Sequence, residues 1–459
     1  MTGVRGWEPV PLTQRHQAGG GGESVHPARW QHTGVMDTAA GPDDQDAPDT
    51  SGVSPAPSGR SPDPASAAFK NDFTADFTAE QVQRSRARKR ETMPLRYAAA
   101  LIGTAVPCLL GFTPLGAGLV HDAGVLAGGG WIATAALGAV ALQVVLTLAG
   151  LPVSLRTEAV NRRWGLSTRS WRLFAADTGK GLLLGAVLSA ALSTGLYALI
   201  RARPDSWWLV AAPLAAALVV LLSFLVPVVF EPLFNRFQPM ADGELRRLLL
   251  DLADRSGVRV RDILVADASR RTTAANAYVS GIGRTRRVVV WDTTVAQAEP
   301  EEVAAIAAHE LGHAARRDVV TGTVVGAVGS AVAVVLLAAA LHWGALLRAA
   351  GVSGATDPRS LALVLALGVV AGTVAGPFGN AFSRRIEARA DGYALELTRA
   401  PQAVVAMQRR LAVLNIADLA PSRLAVLLFA THPPTLARIA HARGWAVTHD
   451  VPVPPPLGP

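Results

Sequence analysis

The sequence predicts a mainly α fold: a polytopic membrane helical bundle with a small cytoplasmic α+β domain. Three observations predict it. Half of the 459 residues are hydrophobic and 17% are charged, which is too apolar for a single soluble domain of this length. Six apolar stretches have about the 20 residues that a bilayer requires. Basic residues are concentrated in some of the connecting loops and missing from others, as in proteins oriented across a membrane.

The apolar stretches divide the chain into membrane and non-membrane segments. They lie near residues 95–120, 130–153, 180–200, 207–230, 319–342 and 360–382. We expect these parts in order: a tail (1–92), an N-terminal membrane domain of four spans (93–230), a cytoplasmic region (231–318), a transmembrane hairpin (319–382), further helices (383–450) and a Pro-rich tail (451–459). In the cytoplasmic region, leucines at helical spacing near 245–252 and the apolar run 258–265 predict a helix and a strand.

The first ninety residues are dense in Gly, Pro, Ser, Asp and Ala and have no sustained hydrophobic period. This composition predicts a disordered tail over 1–92, either an inert solvated extension or a partner-binding segment. The one cysteine, Cys108, lies in the first predicted span, so no intramolecular disulfide is possible and we expect a packing residue.

Loop charges orient the predicted spans. Five basic residues precede the first span and five more lie between the second and third, whereas residues 121–129 contain no Lys or Arg. Arg201 and Arg203, between the third and fourth spans, favour the opposite orientation, but fewer basic residues support it. The positive-inside rule therefore predicts a multi-pass plasma-membrane protein whose N-terminus, 231–318 region and C-terminal region are all cytoplasmic. The loops also account for the net charge of +8, so we expect no nucleic-acid partner.

The motif His309-Glu310-Leu311-Gly312-His313 carries the chemistry. Positions i and i+4 share one helix face, so His309 and His313 are predicted to bind one Zn²⁺ per chain, with Glu310 as general base toward a zinc-bound water. Pro300 at a first helical turn and acidic residues beside it favour a helix here. The alternative is a packed amphipathic helix with two satisfied histidines.

Catalytic zinc needs a third protein ligand and one open position. The predicted hairpin returns the chain to the same membrane face, so Glu387 is the best third ligand. His342 is excluded because a helix of 29 residues from His313 extends roughly 43 Å, across the bilayer. Asp391, one turn after Glu387, is predicted to accept a hydrogen bond from a ligand histidine. The alternative is a solvated acidic edge among Arg384, Arg385 and Arg389.

Further motifs occur around the H-E-L-G-H element in a fixed order. They are Asn276-Ala277-Tyr278, the apolar strand 287–292, the segment S-R-x-x-E-x-x-A-D from Ser383, and His432-Pro433-Pro434 followed by Arg438. Over about 150–430 the chain resembles the integral-membrane gluzincins, which include the type I CAAX prenyl endopeptidases and the HtpX-like quality-control proteases.

The resemblance implies roles for two more residues. Asn276 would contact the substrate backbone, and His432 would stabilise the oxyanion of the tetrahedral intermediate. Ordinary turn chemistry at Asn276 and an ordinary helix-start loop at His432 are the alternatives. The strand 287–292 is expected to offer unpaired backbone groups to an extended peptide.

The sequence therefore predicts a zinc-peptidase domain on a membrane bundle: a membrane-embedded zinc metalloendopeptidase that hydrolyses peptide bonds of membrane-associated proteins. Its expected partners are protein or peptide substrates and the lipid bilayer. The Ala-, Gly-, Val- and Arg-rich composition suggests a bacterial source, which favours membrane-protein quality control or processing over prenylated substrates. A site-two-protease-like intramembrane protease and a noncatalytic membrane scaffold are the alternatives. No motif specifies an oligomeric state.

Overall fold

Long apolar helices dominate the first half of the fold. The computed structural model of the protein describes residues 76–226, 229, 231–281 and 283–457. The helices of the first half are α1 (Ala79–Gly111), α2 (Pro114–Val125), α3 (Trp131–Arg163), α4 (Trp171–Ala202), α5 (Trp207–Leu225) and the short α6 (Glu231–Phe234).

The second half begins with an α+β segment and returns to helices. Its elements are β1 (Phe237–Pro239), α7 (Glu244–Arg255), β2 (Asp262–Ala266), β3 (Ala277–Ser280), β4 (Arg287–Trp291), α8 (Asp292–Gln297), α9 (Pro300–Ala315), α10 (Asp318–Leu341), α11 (Gly344–Ala349), α12 (Leu361–Thr398), α13 (Pro401–Leu414), α14 (Arg423–Phe429) and α15 (Thr435–Thr448).

Six of the helices in the described part of the chain are long and apolar enough to cross a membrane: α1, α3, α4, α5, α10 and α12. Most of the residues in their apolar windows are not buried inside the protein. On α10 an exposed stripe recurs every fourth residue, at Val320, Val324, Val328, Val332 and Leu336. An exposed apolar stripe of this length fits lipid rather than water. The predicted fold class, a membrane helical bundle with a small α+β domain, is confirmed.

The first span differs from the expected 95–120. Helix α1 ends at Gly111, and Thr113 starts α2 by accepting a hydrogen bond from the Leu115 backbone. Gly111 lies so close to α12 that an added Cβ would be 2.3 Å from the Cβ of Ala366. With 12 residues, α2 is about 18 Å long and too short to span a bilayer.

Helix α1 also starts earlier than expected, which corrects the predicted tail over 1–92. Residues 1–75 lie outside the described part of the chain, but residues from 79 onward are helical, starting with a capping box between Thr78 and Gln81. Asp76 pairs with Arg409 and Arg443, and Ser85 donates to the Ala417 carbonyl at 2.7 Å. These partners lie more than 300 residues away in sequence, so the composition of the segment gave no sign of them.

The six membrane helices form a ring. Each contacts the next in the order α1, α3, α4, α5, α10 and α12, and α12 packs back on α1. The end of the ring near residues 351–362 is closed by α2, α11 and the segment after it. There the Tyr197 hydroxyl lies 2.8 Å from the Ser360 hydroxyl. The α+β domain lies at the opposite end, where α1 begins.

A four-stranded sheet in the order β1-β2-β4-β3 lies beside α9. β2 and β4 are parallel and the other pairs are antiparallel. Because β4 (Arg287–Trp291) is paired on both sides, the expectation that 287–292 offers free backbone groups was wrong. β1 and β3 are the two edge strands, each with one side unpaired within this sheet, and β3 is the edge strand that contacts α9.

Candidate active site

The N-terminal half of helix α9 is packed on every side. Pro300 occupies its first turn, and Glu299 and Glu302 form a capping box. All residues from 303 to 309 are buried. Gly312 is in close contact with α12: an added Cβ would lie 3.1 Å from the Tyr393 ring. The small residue thus allows the two helices that carry the candidate ligands to approach each other.

Three side chains converge between α9 and α12. The His313 Nε2 atom lies 3.3 Å from the His309 Nε2 atom. The two oxygens of Glu387 lie 3.1 Å from His309 Nε2 and 3.6 Å from His313 Nε2. His309 and Glu387 are buried. The structure therefore brings together the three residues predicted to bind metal.

These spacings fit a metal ion. Four ligands held tetrahedrally at the 2.0–2.2 Å typical of zinc lie roughly 3.3–3.6 Å apart. The three donor pairs, at 3.1, 3.3 and 3.6 Å, lie in or close to this range. Glu310 also lies near the histidines, with ligand atoms of the three residues within 4.8 Å of one another.

Each histidine ring is oriented by a carboxylate on its far side. The His309 Nδ1 atom lies 2.9 Å from Asp391, and the His313 Nδ1 atom lies 2.9 Å from Asp318. In this arrangement Nδ1–H donates to the carboxylate and the Nε2 lone pair points into the site. Asp391 has the position expected from the sequence, whereas Asp318 was missed.

Two arginines balance these carboxylates. Arg438 donates to Asp391 at 2.8 Å and its second amino group lies 3.4 Å from His309, while Arg389 donates to Asp318 at 3.1 Å. The sequence showed Arg438 as part of a motif but gave no partner for it. Asp318 follows Arg317, whose left-handed backbone (φ 57°) turns the chain from α9 into α10, and no sequence motif marked it.

The pKa values of His309 and His432 are shifted in opposite directions. Burial lowers the pKa of His309, but the carboxylates of Asp391 and Glu387 outweigh it and raise the pKa to about 9. At His432 burial is the largest effect and lowers the pKa, although Glu387 opposes it. The lowered pKa favours the neutral ring at His432.

Glu310 lies between the histidines and the edge strand. The Val279 backbone N–H of β3 donates to its carboxylate. Burial raises the pKa of Glu310, although His309 and His313 lower it. A carboxylate whose pKa is raised toward neutrality is suited to accept a proton and return it.

His432 lies on the open side of the site. Its Nε2 atom is 3.2 Å from Glu387, and its Nδ1 atom is 2.9 Å from the Thr431 hydroxyl. The predicted oxyanion donor is therefore beside the candidate ligands. A direct contact with Glu387 also fits a residue that supports the ligand, so its role stays a prediction.

Asn276 immediately precedes β3, and its backbone is fixed while its side chain is exposed. Its N–H donates to the Thr294 hydroxyl at 2.8 Å, and its carbonyl accepts from that hydroxyl at 2.7 Å. Asn276 is not among the residues with a left-handed backbone, so a left-handed turn does not account for it. Asn415 pairs with both backbone groups of Ala275. The sequence did not point to Asn415.

Two family models match consecutive parts of the chain. Residues 239–446 match the model of peptidase family M48, and residues 65–236 match the CAAX prenyl protease N-terminal model, described as five membrane helices. Within residues 65–236, the described part of the chain forms four helices long enough to cross a membrane.

Individual relatives cover different shares of the chain. The uncharacterized metalloprotease YhfN of Bacillus subtilis is 31% identical over 66% of this chain and 71% of its own length. CAAX prenyl protease 1 of Saccharomyces cerevisiae is 31% identical over 38% of each chain. The crystal structure of S. mikatae Ste24p covers 79% of this chain and 88% of its own, with 22% identity and a TM-score of 0.70, which shows the shared fold.

The predicted resemblance is confirmed, and with it the metalloprotease class; the site-two-protease-like and scaffold alternatives are set aside. Six apolar helices and an N-terminal membrane-domain match make the protein multi-pass. The chain therefore belongs to peptidase family M48 and is a membrane metalloprotease.

Proposed function

We propose that this protein is a zinc metalloendopeptidase that cleaves membrane-associated proteins. The observation that carries the proposal is the convergence of His309, His313 and Glu387 at the spacing of a tetrahedral zinc site. All three donors are nitrogen or carboxylate oxygen, a set that suits a catalytic zinc with an open fourth position. Zinc bound there supplies a Lewis acid that polarises the peptide carbonyl and makes water a competent nucleophile at neutral pH.

The chain's own residues then move the protons. Glu310 accepts a proton from the attacking water and passes it to the leaving amine, a double task that its raised pKa favours. His432 donates to the oxygen that gains negative charge. Asp391 and Asp318 hold the histidine rings in one tautomer.

The substrate is proposed to bind as an extended strand along β3. This strand is at the sheet edge, and its Val279 N–H reaches Glu310. A peptide paired with the edge would lie beside the general base. The exposed Asn276 side chain, at the start of the same strand, is the proposed contact to the substrate backbone.

The proposed substrates are membrane-associated proteins because the site lies at the ends of the spans α10 and α12. The named activity of the yeast relative concerns CAAX prenyl proteins, but the match covers 38% of each chain. The Ala-, Gly-, Val- and Arg-rich composition fits quality control or processing of membrane proteins better than cleavage of prenylated proteins. The loop charges further support a site on the cytoplasmic side, and the proposed membrane is the plasma membrane.

The ligand set is tested by zinc content. His309→Ala, His313→Ala and Glu387→Ala should each lower the zinc bound to purified protein, because each removes one of three bonds. Glu310→Gln should retain zinc and lose turnover. The matched control is His342→Ala, at the far end of α10, which should keep zinc and activity. Undiminished zinc in Glu387→Ala would move the third ligand elsewhere.

His432→Ala separates oxyanion stabilisation from metal binding. If His432 acts in the transition state, the variant should keep zinc and bind substrate nearly normally, while kcat falls about 10²–10³-fold. The exposed His441, changed to Ala, serves as control. A normal kcat would reduce the His432 segment to a structural loop. Loss of zinc would make His432 a ligand or a support for Glu387.

Reporter fusions test the proposed orientation. Asp76, near the start of the described chain, and Pro455, near its end, both contact Arg409. These contacts put both ends of the described chain on one side of the membrane, and the loop charges predict that this side is cytoplasmic. Reporters fused at Met1 and at Pro459 should both give cytoplasmic signals. A fusion after Gly129, in the loop at the opposite end of the ring, should give an extracytoplasmic signal. An extracytoplasmic C-terminus would contradict the proposed side of the membrane.

A further inference from the structure

The short helix α14 lies where two membrane spans meet the α+β domain. Phe429, at its end, contacts α1: its ring centroid is 5.4 Å from that of Tyr97 and 5.0 Å from the Arg96 guanidinium carbon. On the other side, α14 is bonded to Asn380 and Arg384 of α12. The catalytic segment at His432 follows α14 after two residues.

These contacts place α14 at the depth of the membrane surface. In α1 the charged segment ends at Arg96 and the apolar segment begins at Tyr97. In α12 the apolar segment ends at Phe382, and Arg384 follows after one serine. Both spans change from apolar to charged at the residues that contact α14. Such positions lie in the interfacial layer of a bilayer.

The C-terminal carbonyls of α14 are satisfied by side chains of α12. The Asn380 Nδ2 atom donates to the carbonyls of Leu427 at 3.2 Å and Leu428 at 2.9 Å. The Arg384 guanidinium donates to the carbonyls of Val426 at 3.1 Å and Ala430 at 2.7 Å. The last carbonyls of a helix have no partner within it, and outside water they need partners from the protein. The C-terminal end of α14 therefore does not need water to satisfy these carbonyls.

The outer face of α14 is apolar. Leu424, Leu427 and Leu428 are 55%, 45% and 38% exposed, whereas Ala425 is buried. Positions i, i+3 and i+4 share one helix face, so the three leucines form a continuous patch. Exposed apolar residues of the neighbouring spans, Leu101 on α1 and Phe378 on α12, are 68% and 74% exposed. The leucine patch therefore has the same exposed apolar character as the lipid-facing surface of the neighbouring spans.

We propose that α14 inserts its Leu424-Leu427-Leu428 face into the interfacial layer of the bilayer on the active-site side. It would act as a monotopic anchor between the spans α1 and α12. Lipid is the occupant that fits, since both neighbours of α14 are themselves lipid-facing helices and its C-terminal carbonyls are satisfied by side chains of α12. The anchor holds the following segment, which contains His432, at a fixed height above the membrane.

Fluorescence quenching in vesicles tests this proposal with the full-length protein. Leu424→Cys and Leu428→Cys are made in a Cys108→Ser background and labelled with an environment-sensitive fluorophore. The proteins are reconstituted in phosphatidylcholine and phosphatidylglycerol. Phosphatidylcholine with brominated acyl chains should quench both labels strongly, and aqueous iodide should quench them weakly.

Val447→Cys is the matched control, since Val447 is 67% exposed on α15. Its neighbour Arg443 pairs with Asp76, just before Ala79, and 18 helical residues put Ala79 roughly 27 Å from Tyr97 along α1. Its label should respond to iodide and ignore brominated lipid. If one leucine variant aggregates, the other gives the same reading.

Two outcomes overturn the proposal. Iodide quenching at Leu424 and Leu428 equal to that at Val447 would show that α14 faces water. Protection from both quenchers would show a protein partner or a second copy on the leucine face. Neither readout depends on proteolysis, so either result would leave the proposed peptidase function standing.

Discussion

The site depends on two carboxylates that lie behind the histidines. Asp391 and Asp318 each contact the Nδ1 atom of one ring at 2.9 Å. These contacts turn both Nε2 atoms toward Glu387 and fix the tautomer in which the lone pairs converge. Without them each ring would lose the acceptor that fixes its orientation and tautomer. Buried carboxylates need compensating charge, which Arg438 and Arg389 supply.

These interactions join the membrane bundle to the chemistry. Asp318 is the first residue of α10, while Glu387 and Asp391 belong to α12, the other helix of the transmembrane hairpin. The donors therefore meet when the two spans return to the same face and α9 packs against α12. Arg438 adds α15 to the assembly, and Asp76 links that helix to the start of α1. Catalytic geometry and membrane packing are thus two aspects of one arrangement.

Local signals predicted much of the fold and the convergence of the site. The six spans follow from apolar length, and helix periodicity places His309 and His313 on one face. A transmembrane hairpin returns the chain to the same membrane face, which predicted that Glu387 and Asp391 lie near the histidines. Roles at Glu310, His432 and Asn276 rest on chemistry and resemblance and stay predictions.

Non-local pairings were beyond the sequence. The edge strand is β3 rather than β4 because β2 pairs with β4 across more than twenty residues, which strand propensity does not encode. The segment before α1 is attached to the domain by Asp76, which pairs with Arg409 and Arg443 far along the chain. Asp318 and Asn415 act through partners brought close by the fold.

Zinc-edge X-ray absorption of the purified protein reports the ligands of the bound metal. The expected spectrum shows two imidazole nitrogens with carboxylate or water oxygen, all at about 2.0–2.2 Å. Sulfur at about 2.3 Å, or a spectrum with fewer than two imidazoles, would contradict a zinc site formed by His309, His313 and Glu387.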